Sequence, residues 1–365
     1  MAADGALIVV DWEVPAEAAA GGKEDERPDV TEPGGIDRPV VLIVHGMNND
    51  STFGYVRSMM RTAADRGWIA ACMNMRGQDG LGRVRNATPR GYNAGFTGDL
   101  RGVVERIGHR LRRKASPAGE LDVYDGGPVF LVGYSLGANI VTKYLGEEGL
   151  HGTLPPYVAG GCALGNPLRI HSGTIGFPWN VVLGAGVKRS ILQNLPSFAR
   201  HHDPGYRRAM ARALLAPTIG RLDDAASPYL VRNDNFPPYA RSIGYEDGED
   251  YWRDSSSHRY VPSVSVPLLQ VAARDDFIVF GQFARNLDRC LESPNVIVVK
   301  TRCGGHLGWQ ESPPPGSGGG GSWSDAAVAD FIEALLQMRE EDRAAAARER
   351  GETFTAGGPR IRSRL

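Results

Sequence analysis

The sequence has little cysteine, no excess of either charge and no long uninterrupted apolar run. Its four cysteines, Cys72, Cys162, Cys290 and Cys303, lie far apart and form no C-x-x-C pair. That argues against a zinc site or a redox dithiol. Cys72 and Cys162 sit inside apolar runs, where a thiol behaves as a small buried hydrophobe, so reduced thiols and an intracellular setting are expected. Lysine and arginine number 41 against 42 aspartates and glutamates. A net charge of −1 removes the electrostatic reason to expect nucleic acid as a partner. The closest candidate for a membrane span, GFPWNVVLGAGV at 176–187, is too short to cross a bilayer. The first residues lack the basic stretch and apolar core of a secretory signal. A cytoplasmic or peripherally membrane-associated chain is therefore the expectation. No internal repeat is found.

What is abundant is glycine (47) and proline (24), which predicts many turns. A hydrophobic content of 42% and a charged content of 23% are globular values and exclude wholesale disorder. At 365 residues the chain can form one large α/β domain with insertions. Strands are expected at 6–12, 39–46, 68–77, 128–135, 157–167, 267–276 and 295–303. The run PVVLIVHG ends in glycine and has no polar interruption, as a strand buried on both faces requires. Helices are expected between them. One runs to about residue 66 with Val56, Met59, Met60 and Ala63 on one face. Another spans 98–114 with Leu100, Val103, Val104, Ile107 and Leu111 on one face, and further ones start at 136, 281 and 326. Strand–helix alternation predicts an α/β fold, a mostly parallel sheet covered on both faces. Residues 1–167 read as the first part of this core and 263–350 as the second, with the closing helix. Between them, 168–262 contains no clean strand and reads as a largely helical cap above the strand ends. SPPPGSGGGGS (312–322) reads as a flexible loop, and 351–365 as a disordered tail.

The sharpest chemical signal is Gly133-Tyr134-Ser135-Leu136-Gly137, a G-x-S-x-G between an expected strand and an expected helix. A serine on so tight a turn needs small neighbours, which Gly133 and Gly137 supply. Its Oγ would stand above the sheet at a helix N-terminus, where N–H groups favour an oxyanion. A nucleophilic serine needs a base and an orienting acid. Cys303-Gly304-Gly305-His306 follows the last expected strand, so His306 is the candidate base, with Gly305 shaping its loop. Asp275-Asp276 lies between serine and histidine in chain order. Asp276, directly before Phe277-Ile278-Val279, is favoured as the acid; Asp275 is the alternative, or a cap of the turn. The oxyanion donors would be the N–H groups of Leu136 and Met47, with Gly46 allowing close backbone approach. His45 and Asp50 also fit an H-x4-D acyltransferase spacing, but His45 reads better as a brace for its loop. No cofactor and no metal is called for.

These residues occur in order with Asn74-Met75-Arg76-Gly77, Tyr92, Asp99-Leu100 and the stretch from Gly244-Tyr245 through Asp250-Tyr251-Trp252-Arg253-Asp254-Ser255-Ser256. Together they resemble the YheT/ABHD-type branch of the α/β-hydrolases, which includes plant embryogenesis-associated relatives, over about residues 4–311. The resemblance implies an α/β-hydrolase fold, a Ser135–Asp276–His306 triad, and activity on carboxylic esters of the carboxylesterase, monoacylglycerol lipase or phospholipase kind. Phe277 stands where the family usually has proline. On this reading Ser135 attacks an acyl carbonyl, forms an acyl-enzyme and is released by water. An acyltransferase using the same intermediate and a non-catalytic scaffold binding an apolar ligand are the alternatives. Ile175, Phe177, Trp179, Val181, Val182, Leu183, Ile191, Leu192, Leu195 and Phe198 make the cap apolar. They would bury an acyl chain or touch a membrane surface, or pack the cap onto the sheet.

Overall fold

The computed structural model describes residue 2 and residues 5–15, 29–78, 85–114, 123–124, 127–230, 244–311 and 322–349. The 351–365 tail and residues 312–321 of the glycine–serine loop lie outside the described residues. In chain order the elements are β1 (Val10–Glu13), β2 (Val40–Val44), α1 (Gly54–Asp65), β3 (Ile69–Met73), α2 (Gly98–Arg110), the ribbon strands β4 (Arg113–Lys114) and β5 (Val123–Tyr124), β6 (Val129–Tyr134), α3 (Leu136–His151) and β7 (Val158–Leu164). A helical segment follows, with α4 (Trp179–Gln193), α5 (Leu195–Phe198), α6 (Pro204–Leu215), α7 (Ile219–Ala226) and α8 (Gly248–Ser255). The chain then returns through β8 (Leu268–Ala273), α9 (Phe280–Arg285), α10 (Leu287–Leu291), β9 (Val296–Thr301) and α11 (Trp323–Glu349).

The main sheet has seven strands in the order β1-β3-β2-β6-β7-β8-β9. Only β1 runs antiparallel, Val10 opposite Met73 at one edge; every other pair is parallel. Because side chains alternate across a strand, β2 feeds both layers. Val40, Leu42 and Val44 face α2 and α3, packing on Leu100, Val104, Val141 and Tyr144. Val41 and Ile43 face α1 and α11, packing on Val56, Met59, Val328 and Ile332. Every residue of β2, β3, β6, β7 and β8 is buried. Burial on both faces explains why these strands read as unbroken apolar runs. Helix α1 buries the stripe Val56, Met59, Met60 and Ala63, one face at 3.6-residue spacing.

Three expected boundaries are corrected. The first strand covers Val10–Glu13 rather than 6–12, because only there does the chain lie beside β3. The helix expected over 98–114 ends at Arg110. Leu111 turns to extended geometry and bridges Ile36, keeping its burial by a sheet-like contact instead of a helical one. The stretch after β8 forms two short helices that break at Asn286.

Between β7 and β8 the described residues form helices and turns with no strand. They have a small core of their own, where Ile191, Phe198, Tyr206, Met210, Ala213 and Leu222 meet. Residues 231–243 of this segment lie outside the described residues.

Candidate active site

Four turns at the carboxyl ends of β2, β6, β8 and β9 carry the residues singled out from the sequence. This is where ligands of open parallel sheets bind. Ser135 follows β6 and precedes α3, with φ 53° and ψ −114°. A non-glycine residue in that region costs of order 1–3 kcal/mol. The turn is held by neighbours: Ser135 N donates to the Leu164 carbonyl of β7 at 2.8 Å, and Asn139 N to the Ser135 carbonyl at 3.1 Å. A Cβ at Gly133 would stand 2.4 Å from the Gly137 oxygen, and one at Gly137 only 2.0 Å from the Val44 oxygen. Both glycines are therefore steric requirements of the turn.

His306 sits on the loop after β9, where Gly304 and Gly305 take φ 150° and 53°. A side chain at Gly304 would meet Trp309 Nε1 at 2.2 Å, and Trp309 in turn donates to Thr301 Oγ1 at 2.9 Å. The indole thus pins the loop to the end of β9. His306 Nε2 lies 2.8 Å from Ser135 Oγ, and His306 Nδ1 lies 2.9 Å from Asp276 Oδ2. The other oxygen, Asp276 Oδ1, accepts from Ile278 N at 2.8 Å and Val279 N at 3.0 Å. A carboxylate only accepts, so Nδ1 carries the imidazole proton and Nε2 offers its lone pair to the serine. Asp275 takes a different position. It is exposed, shares no hydrogen bond with His306, and accepts from Gly305 N at 2.9 Å and Gly304 N at 3.4 Å. It holds the glycine loop that carries the histidine.

The loop after β2 approaches the serine closely, with the Cβ direction of Gly46 ending 3.3 Å from Ser135 Cβ. Gly46 N donates to Tyr55 Oη at 2.9 Å. The N–H groups of Met47 and Leu136 meet no acceptor among the described residues. His45 is fully buried. Its Nε2 accepts from Met75 N at 3.2 Å, so Nδ1 donates to the Gly46 carbonyl at 2.8 Å. Burial pushes its pKa down to about 4, leaving a neutral ring that ties β2 to the turn after β3. Asp50 shares no hydrogen bond with His45; it accepts from Thr52 N and Oγ1.

Residues of the wider resemblance brace these turns. Asn74 Oδ1 accepts from Ser51 N at 2.9 Å, while Asn74 Nδ2 and Ser51 Oγ both donate to Asp11. Arg76, itself buried, is held by Asp99 at 2.6 and 2.7 Å. Tyr245 Oη donates to Asp254 at 2.6 Å, and Asp254 pairs with the fully buried Lys143 of α3 at 3.2 Å. Burial works against the Lys143 charge, yet Glu147 and Asp254 outweigh it and raise its pKa. Asn139, also on α3, donates to the Ser255 carbonyl and accepts from Ser257 N. The segment around α8 is thereby clamped to the helix that starts at Ser135.

Above the serine lies a cavity of about 220 Å³. Ser135, His306, Gly46, Met47 and Leu136 line it from the sheet, and Leu183, Val187, Ile191, Met210 and Ile219 line it from the helical segment. Other apolar side chains of that segment point outward. Phe177, Val181, Val182, Leu192 and Leu195 are exposed, and Trp179 packs against exposed Phe277 with centroids 5.1 Å apart. Tyr55, Asn48 and Asp223 were not singled out by sequence. Asn48, at φ 61°, donates to the Leu183 carbonyl at 2.9 Å and ties the Met47 loop to α4; asparagine's tolerance of left-handed backbone was its one local signal. Among the described residues no group of His, Cys, Asp and Glu side chains could hold a metal ion. Nor is any helix among them long and apolar enough to cross a membrane.

The chain is similar to several known proteins. The embryogenesis-associated protein EMB8 of Picea glauca is 28% identical over 347 residues, 93% of this chain and 66% of that protein. The monoacylglycerol lipase of Saccharomyces cerevisiae is 27% identical over 283 residues, 74% of this chain and 55% of that protein. Phospholipase ABHD3 of Mus musculus is 26% identical over 305 residues, 83% of this chain and 66% of that protein. The chain thus spans 55–66% of the length of these relatives. The profile described as the alpha/beta hydrolase family matches residues 41–316, a stretch that begins in β2 and takes in the serine turn, the helical segment and the His306 loop. A doubly covered parallel sheet with a serine elbow at its centre, matched over most of its length, makes this chain a member of the alpha/beta hydrolase family.

Proposed function

We propose that the protein is a serine hydrolase that cleaves carboxylic esters with a lipid-like acyl or alcohol part. The observation that carries this reading is the hydrogen-bonded sequence Ser135–His306–Asp276, at 2.8 and 2.9 Å, opening on an apolar cavity. His306 Nε2 takes the Ser135 proton as Oγ bonds to the acyl carbon. The carbonyl oxygen becomes an oxyanion and receives the N–H groups of Met47 and Leu136. Asp276 orients the ring and stabilises its cationic form. His306 then returns the proton to the departing alcohol, leaving the acyl group on Ser135. Water, deprotonated by the same imidazole, attacks the acyl carbon, and the acid leaves as Oγ regains its proton. Each oxyanion donor is worth about 3–4 kcal/mol in such reactions, so the Gly46–Met47 loop ranks close behind the three side chains.

The apolar wall of α4 and its neighbours suits a hydrocarbon chain. The outward patch of Phe177, Val181 and Val182 suits peripheral contact with a lipid surface. Names of relatives, monoacylglycerol lipase and phospholipase, point to the same class of ester. Turnover of short p-nitrophenyl esters, monoacylglycerols and phospholipids by the wild type and by Ser135→Ala tests the reading. Hydrolysis lost in the variant supports it. Hydrolysis retained in Ser135→Ala, or absent from every ester with folded wild type, refutes it. A product in which an added alcohol replaces water would make transfer the activity instead.

A further inference from the structure

One carboxyl in the cavity has no part in the scheme above. Asp223, on α7, belongs to the cavity wall together with Ser135 and His306. Its Oδ2 accepts from Trp252 Nε1 at 3.0 Å. Its other oxygen meets no donor, and the side chain pairs with no cation, among the described residues. Its charge acts on two phenols, Tyr92 and Tyr251. Neither hydrogen-bonds to it: Tyr92 Oη donates to Asn48 Oδ1, and Tyr251 Oη accepts from Ala94 N. Arg76, the nearby guanidinium of the cavity wall, is committed to Asp99. Desolvation by the surrounding protein raises its pKa to about 7. The residue as a whole is half-buried and lines the cavity.

An acceptor oxygen in an apolar wall needs a donor from water or from a ligand, and a ligand that fills the cavity displaces the water and must supply that donor itself. We propose that Asp223 is a specificity-determining residue of this pocket, accepting a hydrogen bond from a hydroxyl of the bound ester. The pocket then selects uncharged, hydroxyl-bearing esters over those that present hydrocarbon or an anion at that point. Hydrocarbon leaves the oxygen unpaired, and an anion meets a like charge in a medium of low dielectric. The Trp252 bond, made by the DYW stretch of α8, fixes which oxygen faces the ligand. The clamp from α8 to Lys143 and Asn139 gives that arrangement a rigid base.

This inference rests on the ester-hydrolase reading, and the test separates the two. Two matched substrate pairs are compared: glycerol monobutyrate against propyl butyrate, and p-nitrophenyl 6-hydroxyhexanoate against p-nitrophenyl hexanoate. Wild type should favour the hydroxylated member of one pair by about 10–100-fold in kcat/KM. Asp223→Leu should bring that ratio to within about threefold of one, largely through the hydroxylated member. A merely structural role would lower both members together and leave the ratio unchanged. Asp223→Asn keeps an acceptor for Trp252 and guards against loss of fold in the leucine variant. It should relax discrimination against a phosphorylated glycerol monobutyrate by at least about tenfold. Ser135-dependent hydrolysis whose ratios do not respond to either substitution overturns this inference alone. Hydrolysis that survives Ser135→Ala overturns the reading beneath it.

Discussion

Asp275 and Asp276 stand side by side on one turn, yet the structure gives them different partners, and their replacement by asparagine should have very different costs. In Asp276→Asn the carbonyl oxygen keeps the place of Oδ1, because Ile278 N and Val279 N both donate there. The new NH2 then faces His306 Nδ1, now 2.9 Å from the other oxygen. Two donors cannot face each other, so the ring adopts the opposite tautomer, with its proton on Nε2. It can then no longer accept from Ser135 Oγ, 2.8 Å away. A loss of this kind is worth about 10⁴ in kcat, or about 5 kcal/mol of barrier. Asp275→Asn loses less. Its carbonyl still serves Gly305 N, and only the longer bond to Gly304 N, 3.4 Å, is replaced. A net hydrogen bond of about 0.5–1.5 kcal/mol corresponds to at most about a tenfold fall. The assay is kcat/KM on p-nitrophenyl butyrate for both variants, with thermal unfolding showing that each is folded. Equal losses in the two variants, or less than a tenfold loss in Asp276→Asn, would refute the assignment.

Further expectations follow from packing and burial. Asp325 opens α11, accepts from Ser58 Oγ at 2.5 Å, and is pushed by burial from 3.8 to about 6. A carboxyl raised in the folded state contributes stability that is complete below its unfolded pKa and lost as pH rises through the folded one. Wild type should thus lose roughly 2–3 kcal/mol relative to Asp325→Asn as pH rises from about 4 to 7, measured by urea unfolding; a difference independent of pH would contradict the burial argument. Gly137→Ala drives a methyl to 2.0 Å from the Val44 oxygen and should cost about 3 kcal/mol or more. Gly102→Ala, on α2 with nothing within 4 Å, should instead stabilise by about 0.5–1 kcal/mol; urea unfolding of both checks the contrast. Phe177→Ser combined with Val182→Ser removes exposed apolar surface from the helical segment. It should weaken sedimentation with lipid vesicles several-fold while hydrolysis of a soluble ester is kept; unchanged sedimentation would count against membrane contact.

Much of the fold was legible because central parallel strands are buried on both faces. β2, β3, β6, β7 and β8 carry no alternation to confuse, and α1 shows its buried stripe at helical spacing. Edges were harder. β1 is half-buried throughout, so its position depends on β3 and not on its own pattern, and α2 ends where Ile36, 75 residues earlier, offers Leu111 a partner. At the site, the glycines of the serine turn could be read locally, since the clash that demands them is between neighbours in sequence or strands of known order. Of the two adjacent aspartates, the apolar run after Asp276 favoured the one that meets the histidine, whereas the hold of Asp275 on the glycine loop could not be read, because only the fold aims it there. Tyr55 beneath Gly46 and Asp223 in the cavity wall left no trace in sequence. Each acts across a gap set by packing, with no motif of its own.

The central claim is that Ser135 is an activated nucleophile, and covalent capture tests it most directly. Wild-type protein treated with a fluorophosphonate probe, then digested and analysed by mass spectrometry, should carry a single adduct on the peptide containing Ser135. Labelling should disappear in Ser135→Ala and fall at least about a hundredfold in rate in His306→Ala. Folded wild type that stays unlabelled, or that is labelled as fast without the imidazole of His306, would contradict the account.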